Sequence, residues 1–323
     1  MTKEKEPFVS FVIPCRNEKE DIADAVNSLL KQDYSKERYE IIVVDGGSTD
    51  GTNEILEKYG KKIKIEREKG RMGPANARNQ GARIARGEII AFMDADTVFN
   101  KGYLRNTARH FGNKNVDAVS TKTEDYKKPG RKPSFVAQCY FAERRAAGHA
   151  KKDTGIHLIR KKTFFQLGGF NERLGAAEDV DLERRFSEKG LECQFEGNSI
   201  SSHKEPKTLT EVFREARWWG RTNLNLMKES PKIFFVKIAG LGYRTIMPLV
   251  FMFALLTSNA MLLAISVLWI LENLFLVWKA VKRTGYLSAS ICLPVFKTLR
   301  YYMLVFWMFY WMFSGRKEMT QGK

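Results

Sequence analysis

The sequence predicts an α/β protein: a parallel-rich sheet flanked by helices, followed by C-terminal transmembrane helices. Three observations carry this. Short apolar runs alternate with segments of helical period through the first hundred residues, the pattern of strand–helix–strand units. Three of those runs end in polar clusters, at Pro14–Glu18, Asp45–Ser48 and Asp94–Asp96. From Ile246 to Val277 a single charge, Glu272, interrupts 32 residues, where ~20 apolar residues suffice to cross a bilayer core.

Each element follows in order. "FVSFVIP" (8–14) reads as a buried strand stopped by Pro14. In "EDIADAVNSLLK" (20–31), Ile22, Ala25, Val26, Leu29 and Leu30 recur at helical spacing. "YEIIVVDGGSTDGT" gives a second strand ending at Asp45 and a Gly-rich turn, with Asp50 placed to cap a helix running to about Tyr59. "KIKIE" is a short third strand. "PANARNQGARIA" (74–85) opens with proline at a helix start. Residues 88–93 form a strand that runs into Asp94 and Asp96. Later, "EDYKKPGRKPS" (124–134) is a charged loop, and the stretch after Gly155 mixes a strand, a short helix, a Gly-Gly turn and a helix from about Asp179.

These elements divide into a domain over 1–230 and a membrane region over 231–323. The 32-residue apolar run is too long for one perpendicular span, so two spans are expected, meeting at "TSN" (257–259). A third stretch, 287–313, is interrupted by Lys297 and Arg300 and reads as either a span or a helix along the membrane surface. Lys237 and Arg244 precede the apolar run, "KAVKR" (279–283) follows it, and the turn between carries no charge. The positive-inside rule then predicts a multi-pass cell-membrane protein with its N-terminal domain in the cytoplasm.

The net charge is +17 and the pI about 9.6. Such a balance points to an anionic partner (nucleic acid, nucleotide or membrane lipid) or to the basic flanks of membrane segments. The basic residues are spread out and no nucleic-acid module is recognisable, so nucleic acid is not the expected partner. Cys15, Cys139, Cys193 and Cys292 are scattered without paired spacing, which argues against a disulfide framework or a zinc site. "MTKEKEPFVS" lacks an apolar core, so no secretory signal peptide is expected. The oligomeric state is not legible.

The polar clusters carry the chemistry. In extended chain Asp94 and Asp96 would point to one side and repel, so something positive is expected beside them. That is either a divalent cation, Mg²⁺ or Mn²⁺, bridging to a diphosphate, or the pair is a strand end and a helix cap. Pro14, Arg16, Asn17 and Glu18 form a loop able to grip a ring and a ribose, or a plain acidic helix start. Asp45 and Gly46 put an acid and a small residue where backbone approaches a ligand, or simply make a tight turn. Arg78 and Asn79 open a helix where a guanidinium meets phosphate or a base edge. Glu178 and Asp179 start a helix, where a carboxylate can accept a proton from an attacking hydroxyl or merely favour the helix. "FREARWWGR" (213–221) gathers Arg214, Arg217 and Trp218, facing either a leaving diphosphate or the lipid interface.

In this order the motifs resemble the family-2 inverting glycosyltransferases of GT-A fold. The matching runs are "SFVIPCRNEKEDI", "YEIIVVDGGSTDGT", "ARNQGARIARGEIIAFMDADT", "GGF" with "EDVDLERR", and "REARWWGR", over about residues 8–221. The apolar tail is similar to that of members acting on lipid-linked acceptors. The resemblance implies that Pro14, Arg16, Asn17 and Glu18 surround the nucleotide base and that Asp94 and Asp96 hold the metal. Asp179 is then the catalytic base, with Glu178 beside it. Asp45 matches the first of two adjacent acids, whereas Gly46 stands at the second. Arg214 to Trp218 resembles a Q-x-x-R-W element with Arg at the Gln place, a departure from processive members. His203 falls where some members place a further metal contact. The implied partners are a nucleotide-sugar donor, a lipid-linked or glycolipid acceptor and membrane lipid. The implied reaction is one inverting displacement. A polyprenyl-phosphate sugar synthase, or a nucleotide-sugar-binding membrane protein without transferase activity, is the alternative.

Overall fold

The computed structural model describes residues 6–70, 73–125, 133–147, 155–174, 178–203, 208–229, 243 and 246–313. Most of the charged loop 124–134, the flanking Lys237 and Arg244, and the side chains of His203 and Trp218 lie outside the described residues. The chain separates into two compact units, Met1–Tyr126 with Lys151–Lys204, and Lys127–Ala150 with Glu205–Met319. The sequence reading placed a single boundary at residue 230.

The first unit is built on one eight-stranded sheet. Its strands are β1 (Val9–Cys15), β2 (Tyr39–Asp45), β3 (Lys64–Arg67), β4 (Ile89–Phe92), β5 (Thr97–Phe99), β6 (Val116–Asp125), β7 (Leu158–Arg160) and β8 (Glu192–His203). Their order is β3-β2-β1-β4-β7-β6-β8-β5. β3, β2, β1 and β4 are mutually parallel, while β7 pairs antiparallel with β4 and β6, and β5 antiparallel with β8.

The near-continuous apolar strands are explained by burial on both faces. Phe11 and Ile13, Ile41 and Val43, and Ile89 and Ala91 pack one way against Ile22, Ala25, Val26 and Leu29 of α1 (Ile22–Leu30). Val12, Ile42, Val44, Ile90 and Phe92 pack the other way. Their partners are α3 (Pro74–Ile84), α6 (Lys161–Gln166) and α7 (Glu178–Glu188). α2 (Thr52–Glu57) and α4 (Tyr103–Ala108) complete the first layer. Pro14 does not stop β1: the strand continues to Cys15. Its ladder to β4 ends at Val12, so the missing N–H of Pro14 interrupts no pairing on that side. α2 begins after Gly51, with Asp50 accepting from the Thr52 N–H at 3.0 Å.

The second unit is helical: α5 (Phe135–Ala147), α8 (Leu209–Glu229), α9 (Ile246–Thr257), α10 (Ala260–Thr284), α11 (Leu287–Ile291) and α12 (Leu293–Phe313). α8 lies against α12 at Gly220, where a Cβ would stand 2.8 Å from the Cβ of Trp307. The Glu143 carboxylate of α5 meets Arg300 of α12 at 2.8 Å. The expected break at 257–259 is present, with Asn259 capping α10 through the Leu262 N–H.

Of the two or three spans expected, one helix is a candidate by length and composition. Among the described residues α10 alone is long and apolar enough to cross a membrane. The described part of α9, at ~1.5 Å per residue, covers about 18 Å of the ~30 Å core. α10 runs past Lys279 to Thr284, because Gly285, in the left-handed conformation at φ 71°, ends it.

Candidate active site

The parallel strands end on one rim, where open α/β sheets take their ligands. The loop after β1 is laced to the loop after β2. Asn17, at φ 57°, donates its N–H to Ser48 Oγ at 2.9 Å and accepts the Thr49 N–H at 2.8 Å. The Glu18 N–H reaches Thr52 Oγ1 at 2.9 Å. Asparagine tolerates the left-handed backbone here because its short amide bonds locally. Asp45 is buried and organises its own turn, accepting from the Gly47 and Ser48 N–H groups, from Ser48 Oγ at 2.5 Å and from Asn53 Nδ2 at 3.3 Å. The stem of Arg16 lies against Gly46.

Asp94 and Asp96 do not continue an extended strand. They occupy a turn between β4 and β5, closed by the Thr97 N–H on the Asp94 carbonyl at 3.1 Å. The turn forms because β5 is drawn to β8, with Thr97 opposite His203. Negative charge still converges there. The Glu18 carboxyl is pushed up to about 8 by burial and by the charges of Asp96, Asp21, Asp94 and Asp50.

A positive group does lie beside Asp94, but it is Arg78, which the sequence reading aimed at phosphate or a base edge rather than at these acids. Its Nη2 meets Asp94 Oδ1 at 2.5 Å, and its Nη1 pairs with Glu178. Its guanidinium lies over the Phe170 ring, 5.6 Å from the centroid. Burial alone would lower its pKa, but Asp94 and Glu178 outweigh this and hold it charged. Glu178 is buried, whereas the next residue, Asp179, is exposed at the start of α7.

Asn79 serves the frame of this site. Its amide donates to the Phe170 carbonyl and to Glu172 Oε1, each at 2.9 Å, and accepts the Phe170 N–H at 2.9 Å. That fixes the Gly168–Gly169–Phe170 turn, which Arg185 also holds through the Gly169 carbonyl at 2.8 Å. The structure therefore brings Arg78, Asp94 and Glu178 together. Arg214, Arg217 and Trp218 fall on α8 of the second unit. There the Arg217 guanidinium covers the rings of Trp307 and Trp311, at 5.1 and 5.4 Å. His203 ends β8. Among the described residues no three His, Cys, Asp or Glu side chains are grouped to hold an ion by themselves.

Sequence reading missed Glu68 and Phe170. Glu68 follows β3 and is buried, accepting from the Gly73 N–H at 2.8 Å and Asn76 Nδ2 at 2.9 Å. Burial pushes its carboxyl up, partly offset by Asn76, Gly73 and Arg16. Its only signal was an acid at a strand end in "EREKG". Phe170 stood in the "GGF" run without a role.

Known proteins resemble this chain. Residues 10–169 match glycosyl transferase family 2. Glycosyltransferase AglE of Haloferax volcanii is 30% identical over 205 residues, 61% of this chain and 67% of AglE. The beta-monoglucosyldiacylglycerol synthase of Nostoc sp. is 28% identical over 204 residues, 58% of this chain and 43% of that protein. The chain thus spans about two thirds of AglE and under half of the synthase. Among solved structures, mannosyltransferase PcManGT from Pyrobaculum calidifontis, in complex with GDP-Man and Mn²⁺, superposes with a TM-score of 0.56. It is 19% identical and covers 97% of this chain and 89% of that one, which supports the GT-A-like fold. The chain belongs to glycosyl transferase family 2, and is a glycosyltransferase by that membership.

Proposed function

We propose that the protein moves a sugar from a nucleotide-sugar donor, with inversion, to a membrane-associated and lipid-linked acceptor, using Mg²⁺ or Mn²⁺. The observation that carries this reading is the Arg78 bridge, which sets the Asp94–Asp96 turn and the Glu178–Asp179 helix start at one place on the rim.

The donor chemistry of that turn suits a hard divalent cation. Asp94 and Asp96 offer carboxylate oxygens, and Glu18, raised first by its burial and then by the charges of Asp96, Asp21, Asp94 and Asp50, lies near them. Among the described residues no three His, Cys, Asp or Glu side chains are grouped to hold an ion by themselves, so the fit is to an ion shared with phosphate and water. Bound there, the cation supplies charge neutralisation to the diphosphate.

The chain's own groups divide the remaining work. Asp179, exposed, takes the proton of the acceptor hydroxyl as its oxygen bonds to the anomeric carbon. The bond from that carbon to the diphosphate oxygen breaks, and its electron pair leaves with the nucleoside diphosphate. One displacement inverts the carbon. Glu178, buried on Arg78, holds that arginine and the start of α7 rather than moving a proton. An exposed base favours a hydroxyl acceptor, such as a lipid-linked sugar, over a lipid phosphate that is already ionised.

A lipid acceptor is supported by the name of the beta-monoglucosyldiacylglycerol synthase relative and by α10, whose Leu268, Leu271, Phe275 and Trp278 are exposed. In this reading α10 lies in the bilayer and the first unit faces the cytoplasm.

The test uses the full chain in detergent with a panel of nucleotide sugars, lipid acceptors and Mg²⁺ or Mn²⁺, scoring labelled product and released nucleoside diphosphate. Transfer that is lost in Asp94→Asn and on chelation supports the reading. Transfer indifferent to both overturns its metal part, and no transfer with any donor overturns the whole.

A further inference from the structure

We propose that the helical unit holds a lipid-head site between α10 and α12, and that it takes a zwitterionic phosphoethanolamine head. This rests on the reading above that α10 lies in the bilayer, and on no part of the transfer reaction. A groove runs between the two helices. Its walls include Glu272, Asn273 and Leu276 of α10, and Lys297, Thr298 and Tyr301 of α12. On each helix the three residues stand at i, i+1 and i+4, a face about 100° wide. All six are half-buried, whereas Leu271, Leu274 and Phe275 of α10 are exposed. The candidate span thus turns polar side chains to its neighbour and apolar ones outward. Charged groups placed so within a membrane helix mark a site rather than a packing seam.

The basic end of α10 sets the depth of this groove. Lys279 follows Glu272 by two helical turns, about 10 Å along the axis. Lys282 and Arg283 lie beyond it in the last turn. With those cations at the headgroup level, the groove lies just inside the bilayer core, within reach of a lipid head. The long stem of Lys297 lets its ammonium rise toward that level. The tails of such a lipid stay in the hydrocarbon, against the exposed side of α10.

The two walls differ in chemistry, and that sets the class of head. Lys297, Thr298 and Tyr301 supply an ammonium and two hydroxyls, donors suited to a phosphodiester. A Glu272 carboxylate accepts only. It takes the Tyr243 hydroxyl on Oε2 at 3.0 Å, and with about four lone-pair sites it has capacity for further donors. Asn273 gives Nδ2 to the Trp269 carbonyl at 2.8 Å, so its Oδ1 adds an acceptor beside Glu272. A head that fits both walls carries a phosphate and, a few atoms on, N–H groups. Phosphoethanolamine does: its phosphate meets Lys297 and its ammonium meets Glu272, each bond charge-assisted. Choline keeps the positive charge but has no N–H. A glycerol head offers O–H groups without the positive charge, and so leaves the Glu272 carboxylate without a counter-ion.

The test places the full chain in phosphatidylcholine nanodiscs doped with phosphatidylethanolamine, its N-methyl and N,N-dimethyl forms, or phosphatidylglycerol. Thermal shift and native mass spectrometry of the retained lipid read the preference. The wild type is expected to retain the ethanolamine head over choline and glycerol by about tenfold, the weight of one hydrogen bond to a charged group. Retention should fall along the methylated series as N–H groups are lost. Glu272→Gln and Lys297→Met are expected to abolish the preference. Should either variant fail to fold, the methylated series on the wild type decides by itself. Equal retention of choline, or stronger retention of phosphatidylglycerol, overturns the assignment. So do variants that melt lower in every lipid yet keep the preference, since Glu272 and Lys297 would then only brace the helices. A chain that stays out of nanodiscs of every composition overturns the bilayer reading and this assignment with it. Failure to transfer sugar in the panel above touches the donor reading alone.

Discussion

Arg78 joins Glu178, one hundred residues away in sequence, to Asp94 across the rim, giving one guanidinium nitrogen to each. The two acids are unequal. Glu178 is 7% exposed and Asp94 46%, so water can replace the arginine at Asp94 and not at Glu178. Removing one member of a buried pair strands the other's charge, at a cost of about 3 kcal/mol or more. Arg78→Gln should therefore lower stability by that order, read as a melting temperature that falls by roughly 2–4 °C per kcal/mol. Arg78→Gln/Glu178→Gln, which strands no charge, should recover most of the loss. A single variant that melts with the wild type would show that the bridge is not a stabilising element.

The neighbours Glu178 and Asp179 should separate in kinetics. Asp179→Asn should lower kcat by about 10²–10⁴-fold, the range for a lost general base, with donor binding unchanged. Glu178→Gln should act through stability and the placement of Arg78, shifting melting temperature and donor KM as well as kcat. Steady-state kinetics paired with melting curves would check this. A fully active Asp179→Asn would move the chemistry to a lipid-phosphate acceptor, for which no base is needed.

What the sequence disclosed follows from where the physics is local. β1, β2 and β4 were legible because strands buried on both faces are apolar throughout, and α3 because Pro74 marks its start. The break at 257–259 was legible from its own turn chemistry. The turn at Asp94–Asp96 was not, since it depends on β5 pairing with β8 a hundred residues later. The burial of Glu68 was hidden for a similar reason: it follows from the β2–β3 register, Asp45 opposite Arg67. Nor did the motif pattern reveal that Arg217 would rest on two tryptophans of α12, since apolar periodicity gives no helix partners.

Gly81 should resist substitution for a reason opposite to helix propensity. A Cβ there would stand 2.4 Å from Val12 Cγ1, so α3 packs on β1 only because this side chain is absent. Alanine favours a helix over glycine by about 1 kcal/mol, yet overpacking costs about 1–3 kcal/mol. Gly81→Ala should therefore melt below the wild type, and Val12→Ala/Gly81→Ala above Gly81→Ala. If Gly81→Ala were stabilising, the close helix–strand contact would be wrong.

Acid should weaken the first unit partly through Glu196. Its carboxylate, 4% exposed, accepts from Arg109 at 2.8 Å, His110 at 2.9 Å and the Asn198 N–H at 2.9 Å. Burial alone would raise its pKa, but His110, Asn198 and Arg109 together hold it below the usual glutamate value. The folded carboxyl thus binds its proton less tightly than the unfolded one. Its contribution is full above the unfolded pKa of about 4.3 and is lost as pH falls through the lower folded value. Glu196→Gln should be less stable than the wild type at pH 6, and the gap should narrow steadily below about pH 4.3. Melting curves taken across that window check it; a gap that widens in acid would reverse the sign and exclude these bonds as the cause.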